Sequence, residues 1–213
     1  MFRHIAKKAF EETEVTDNDE TVRAETYVEN VCKRLSAYFD FETVPCEFAD
    51  TFQHWARFTQ TDEKYFMTQK MNLYTVHTHR YVGLGTFDQV GVADIEKAFE
   101  SLKRHMQERG SSPSTMSIDY TVALISRTAV QAQAVRECLA RMKCHMGFAW
   151  GLKGWADAGI VVVDLQERTV LTNRFAEKQL QTVLWSFDNK PIVPPSRSIF
   201  SRFGLIRCGC CTG

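Results

Sequence analysis

Apolar residues recur along this chain with two periods, and the alternation between them predicts its elements. From Val22 to Phe39, Val28, Val31, Cys32, Leu35 and Phe39 follow the i, i+3, i+4, i+7 spacing of one buried helix face. Pro45 ends that segment. Phe52, His54, Ala56 and Phe58 then alternate with Gln53, Trp55, Arg57 and Thr59, the period-two pattern of a strand. Asp62-Glu63 is expected to turn the chain into a second strand, Tyr65–Val76, and a turn near Thr78 into a third, Arg80–Phe87. Sequential, closely linked strands predict an antiparallel meander.

The second half alternates elements more cleanly. Val92, Ile95, Phe99, Leu102 and Met106 line one face of a helix ended by Gly110-Ser-Ser-Pro113. Ile118, Tyr120, Val122 and Leu124 mark a strand. Thr128-Ala-Val-Gln131 has the spacing of a capping box and is expected to open a helix running to His145, burying Val135, Cys138, Leu139 and Met142. Ile160–Leu165 is a nearly continuous apolar run, expected to be a strand buried on both faces. Gln166-Glu-Arg168 turns it into Thr169–Leu171. Thr172-Asn173 is expected to cap a last helix whose inner face is Ala176, Leu180, Val183, Leu184 and Phe187. The order is α-βββ-α-β-α-ββ-α. It predicts an α+β fold with a mostly antiparallel sheet rather than a doubly wound parallel one. Residues 1–21 read as an acidic N-terminal arm, 22–189 as one α+β domain, and 190–213 as a basic, cysteine-containing C-terminal tail.

Charge adds a polarity between the two ends. Seven acids and one base lie between Glu11 and Glu25, whereas Lys190, Arg197, Arg202 and Arg207 stand in a tail without an acid. With 26 bases against 26 acids, the chain has no net field to draw nucleic acid or an anionic membrane. No apolar run approaches the length of a transmembrane helix, and Met1–Phe10 does not resemble a signal peptide. Seven cysteines, an odd number, argue against a disulfide framework and for a cytoplasmic setting.

The stretch Gly147-Phe-Ala-Trp-Gly-Leu-Lys-Gly-Trp-Ala-Asp157 holds three glycines and two of the four tryptophans. Gly151-Leu-Lys-Gly-Trp-Ala-Asp157, the valine-rich strand after it and Val170-Leu-Thr-Asn173 resemble a family of small uncharacterised prokaryotic proteins. Glu63-Lys-Tyr-Phe-Met-Thr68 and the helices ending near Phe39 and starting at Val92 share the likeness, which spans roughly residues 25–187. The resemblance implies a bounded cytosolic domain and assigns no activity.

Three candidate functions compete. The first is a non-enzymatic accessory protein that meets a protein partner, or a second copy of itself, through Ile199-Phe200 and Phe203-Gly-Leu-Ile206 of the tail. The second uses Cys208, Cys210 and Cys211, whose thiolates suit zinc or an iron–sulfur cluster but need a fourth ligand from elsewhere; a redox thiol or a lipid anchor are its variants. The third is a small-molecule or anion site in which Trp150 and Trp155 frame a pocket beside Lys153 and Asp157. Against that site stands a plain packing corner, in which the glycines allow a sharp turn. The stretch fails as a P-loop, because no Ser/Thr follows the lysine–glycine pair, and as a Rossmann fingerprint, because its strand follows the glycines. A nucleophile elbow and the acid-x-lysine pattern of restriction-type nucleases are absent. His77 and His79 fall on one side of a strand, where two imidazoles can meet one metal; hydrogen-bonded surface histidines are the competing reading.

Overall fold

The structure is a computed structural model, and it describes residues 23–65, 72–109, 115–148, 154–179 and 184–187. The acidic arm, Trp150, Lys153 and the tail with Cys208, Cys210 and Cys211 lie outside the described residues. Helix α1 covers residues 23–35 and is followed by β1 (Asp40–Glu42), β2 (His54–Tyr65) and β3 (Asn72–Phe87). Then come α2 (Val92–Arg109), β4 (Thr115–Ser126), α3 (Ala132–Arg141), β5 (His145–Gly147), β6 (Trp155–Asp164), β7 (Thr169–Thr172) and α4 (Arg174–Gln179). The fold is α+β, on one seven-stranded sheet ordered β1-β2-β3-β4-β6-β5, with β7 beside β6.

The outer pairings β1–β2, β2–β3, β5–β6 and β6–β7 are antiparallel; of the expected three-stranded meander, the strands on either side of Thr78 are one strand, β3, paired antiparallel with β2. The centre is parallel: β3, β4 and β6 run side by side, joined by crossovers through α2 and α3. A strand covered by helices on both faces reads as continuously apolar. That accounts for β6, where Ala158 through Asp164 are all buried.

Alternate residues feed two cores. On one face α2, α3 and the 3-10 turn Cys46–Phe48 pack on Trp55, Tyr81, Tyr120, Val122, Ile160 and Val162. On the other, Tyr27, Val31 and Leu35 of α1 and Ala176 of α4 pack on Ala56, Val82, Ala123, Val161 and Val163. The chain closes over α1, where Arg34 donates to the carbonyls of Leu184 and Ser186 and Tyr27 to that of Trp185.

Several local expectations are corrected. Asp62-Glu63 and Thr78 are not turns: β2 continues to Tyr65 and β3 runs unbroken through Thr78, pairing residue for residue from His54↔Leu84 to Glu63↔Thr75. Polar strand residues look like turn residues when one segment is read alone; here their backbone is paired in the β2–β3 ladder. Residues 128–131 form no capping box. Helix α3 starts at Ala132 without a side-chain cap from Gln131, and Thr128 donates to the Asp88 carbonyl. The loop amides are met from another element, Ala129 by Gln166 and Val130 by Asp164. Helix α3 also ends at Arg141, so His145 belongs to β5. At the start of α2, by contrast, Asp94 accepts from the Gly91 amide at 2.9 Å, the reciprocal half of a capping box.

A buried histidine ties α2 to the 3-10 turn. His105 is 2% exposed, packs against Phe48, Trp55 and Tyr120, and meets Glu47 through Nδ1 at 2.5 Å. A hydrogen bond within Glu47 itself and the one to His105 hold the Glu47 carboxyl below its ordinary value of 4.5. A carboxyl depressed in the folded state stabilises above its unfolded pKa, and that gain is lost as pH falls through the folded value. Glu47→Gln is therefore expected to be less stable than the parent at pH 7, by under about 1 kcal/mol because Glu47 is half in solvent. The difference should shrink on acidification below 4.5, as denaturation midpoints measured from pH 7 to pH 3 would show. A constant difference would mean that the carboxylate charge contributes nothing.

Candidate functional site

Of the four residues expected to form a site in the glycine-rich stretch, the described part of the structure places two, Trp155 and Asp157, at the start of β6. Gly154 precedes them with a φ of +86°. Its α-hydrogen faces the carbonyls of Thr115 and Met116, where β4 carries an irregularity opposite His77/Thr78. A bulge and a left-handed glycine together let the incoming chain turn into the sheet with almost no clearance. The packing-corner reading of the glycines is thus correct at Gly154.

Asp157 follows Trp155 by two residues on β6. It accepts from His145 Nδ1 on β5 at 2.7 Å and stands directly opposite Asp119 on β4. Asp119 in turn stands opposite Arg80 on β3, whose Nε lies 3.4 Å from Asp119 Oδ2. Arg80, Asp119, Asp157 and His145 thus form one row across four adjacent strands. The row lies on the face shared with α1 and α4, toward the strand ends where β4 and β6 begin. The two carboxylates are 17% and 16% exposed, Arg80 is 30% exposed and His145 58%. Ser117 donates to Thr78 on the same face.

Electrostatics makes this row unlike the rest of the sheet. Neighbouring strands hold directly opposed residues about 5 Å apart at Cα, so two largely buried carboxylates stand as near neighbours. Like charges in that position repel unless a cation lies between or beside them. Arg80 supplies one fixed positive charge, yet its buried Nε–H has no hydrogen-bond partner. The row thus brings two carboxylates, one guanidinium and one imidazole together. Its carboxylates lie in the middle and the Arg80 guanidinium, ion-paired with Asp119, at one end.

Sequence reasoning missed Arg80, Asp119 and His145 as site residues. A signal existed for one of them: Ser117, Asp119 and Thr121 are polar at every second position of an otherwise apolar strand. Arg80 and His145 join Asp157 only through register, which a single sequence does not display.

Other candidates stay apart from the row. A cleft of about 340 Å³ between α2 and α3 is lined by Glu96, Phe99, Glu100, Cys138, Arg141 and Met142. Burial pushes the Cys138 thiol up, as it does Cys144, so neither is a poised nucleophile. Cys32, Cys46, Cys138 and Cys144 are all free. No cluster of three or more metal-ligating side chains occurs among the described residues.

The architecture defines a class: an α+β domain with a mixed sheet whose parallel centre is flanked by antiparallel edges. Within that class the chain belongs to the DUF8052 family, described as a domain of unknown function, which it matches over residues 23–184. No curated protein and no solved structure matches it. Among the described residues no helix is long and apolar enough to cross a membrane.

Proposed function

We propose that this protein is a small-ligand-binding protein that takes a compact polar molecule on the row Arg80–Asp119–Asp157–His145. The ligand carries a cationic nitrogen and, beside it, an acceptor oxygen. The reading rests on the in-register pair Asp119↔Asp157, two mostly buried carboxylates that stand opposite each other on adjacent strands, with a guanidinium beside one and an imidazole beside the other. An ammonium group between them offsets the repulsion, and a carboxylate or hydroxyl oxygen pairs with the Arg80 guanidinium. Amino acids and amino alcohols have that arrangement. His145, the most exposed member, closes the row at the opposite end. The four free cysteines are in keeping with a reducing, cytoplasmic setting. Tail docking through residues 190–213 and metal binding at Cys208, Cys210 and Cys211 remain alternative readings carried by the sequence alone.

A thermal-shift screen with amino acids, small amines and divalent cations, followed by calorimetric titration of the best hit, tests this function. The parent should be stabilised by at least one amine-bearing compound. Asp119→Asn and Asp157→Asn should each weaken it tenfold or more, about 1.4 kcal/mol, with far-ultraviolet dichroism unchanged. Lys103→Ala, on the opposite face, should bind as the parent does. Equal affinity in both asparagine variants, or no stabilising compound, would overturn the proposal. Stabilisation by magnesium or calcium alone, ions that take oxygen donors, would mean that the carboxylates hold a metal instead.

A further inference from the structure

On the other face of the sheet, β3 brings His77 and His79 to one side, where their rings stack with centroids 6.0 Å apart and planes 23° apart. Each ring is held through the same nitrogen. His79 Nδ1 lies 3.1 Å from the Thr59 hydroxyl, and His77 Nδ1 lies 3.1 Å from that of Thr61. The threonines are the register partners of those histidines on β2, so the two contacts repeat one geometry along the ladder. Both Nε2 atoms are left without a hydrogen-bond partner among the described residues, on side chains that are partly open to solvent.

We propose that His77 and His79 form a two-imidazole binding site for a late first-row transition-metal ion, of the class Ni²⁺, Cu²⁺ or Zn²⁺. A metal-bound imidazole is oriented by an oxygen at its second nitrogen, which fixes the tautomer and turns the other lone pair toward the ion. Thr59 and Thr61 fill that role for both rings. Imidazole nitrogen suits this group of metals, whereas magnesium and calcium require oxygen donors. Arg57 lies close enough to His79 to repel an incoming cation. Arg57 is itself paired with Glu42 at 3.1 Å, which moderates its repulsion of an incoming cation. Ligation draws the two Nε2 atoms to about 3 Å apart, since each metal–nitrogen bond is about 2.0–2.1 Å. The remaining coordination positions are open to water or to a further donor.

The site is separable by experiment from the aspartate row and from the terminal cysteines. Full-length protein without an affinity tag, with Cys208, Cys210 and Cys211 replaced by serine, is dialysed against NiCl₂ and, separately, CuCl₂ at pH 7.5. One ion per chain is expected. Copper electron paramagnetic resonance should show hyperfine coupling to two nitrogens. His77→Ala and His79→Ala should each weaken binding at least tenfold, and His145→Ala should leave it unchanged. A double Thr59→Val, Thr61→Val variant retains both ligands and is expected to bind several-fold more weakly. It also answers the case in which a histidine variant misfolds. Unchanged affinity in the histidine variants, or copper coupled to fewer than two nitrogens, would overturn the proposal.

Discussion

Alanine at Gly154 is expected to destabilise the domain by about 3 kcal/mol, a drop in Tm of roughly 6–12 °C for a domain of this size. Two costs combine. The φ of +86° is one that a residue with a β-carbon adopts only with strain. The new methyl would also sit 2.6 Å from the Thr115 carbonyl oxygen and closer still to that of Met116. Those are backbone atoms at the start of β4, and moving them means loosening the β3–β4 and β4–β6 ladders together. Gly91→Ala is the control, because its added methyl would meet only the Asp94 carboxylate at 3.4 Å. Chemical denaturation of both variants decides the matter. A Gly154→Ala loss below about 0.5 kcal/mol would mean that the corner relaxes freely and that the glycine is not required.

Asn173 should be the most demanding polar position in the protein. It is 1% exposed and makes four side-chain hydrogen bonds. Oδ1 accepts from the amides of Ile160 and Ala176, and Nδ2 donates to the carbonyls of Met142 and Ala158. Only this orientation of the amide satisfies all four groups, since a flip would set oxygen against oxygen twice. The bond to Ala176 is the N-cap expected from sequence; the other three join β6 and the end of α3 to the start of α4. Asn173→Ala leaves four buried groups unmet and is expected to cost about 3–4 kcal/mol. Asn173→Asp is the sharper variant. Aspartate caps helices as well as asparagine does, so a role limited to capping predicts little loss. A role as a buried connector predicts a loss of at least the same 3–4 kcal/mol, because a carboxylate oxygen then faces two carbonyls. Equilibrium unfolding at pH 7 separates the two, and a near-neutral aspartate variant would remove the connector role.

The gap between these roles shows what kind of information a linear pattern carries. Asn173 was legible as a cap because capping is local: a side chain meets an amide three residues on, at the end of a period-two run. Its ties to Met142 and Ala158 cross the sheet and leave no local trace. The same holds for Thr128 and Gln131, which have capping-box spacing yet do not cap, because Asp164 and Gln166 reach across from the end of β6 and its turn. Strand polarity misled the turn assignments at Asp62 and Thr78 for a related reason. A long two-stranded ladder pairs polar backbone and side chains in register, so its residues need not be apolar to stay extended.

For the candidate site, Asp157 and Trp155 were picked from the glycine-rich stretch, and Asp157 does belong to a charged network. Of the partners expected beside it, Trp150 and Lys153 lie outside the described residues, and the described structure places His145, Asp119 and Arg80 from three other strands in its row.

Read alone, the sequence determined the helices, the strand-rich first half, the buried run of β6, the burial of Cys138 and the α+β class. Each follows from a hydrophobic period that one segment carries by itself. Tertiary structure decided the parallel centre, the opposed carboxylates of Asp119 and Asp157, the threonine-held pair His77 and His79, and the clearance that only glycine meets at position 154. These depend on which strand lies beside which, and in what register. Register is set by the summed packing of both sheet faces, not by any residue's neighbours in the chain.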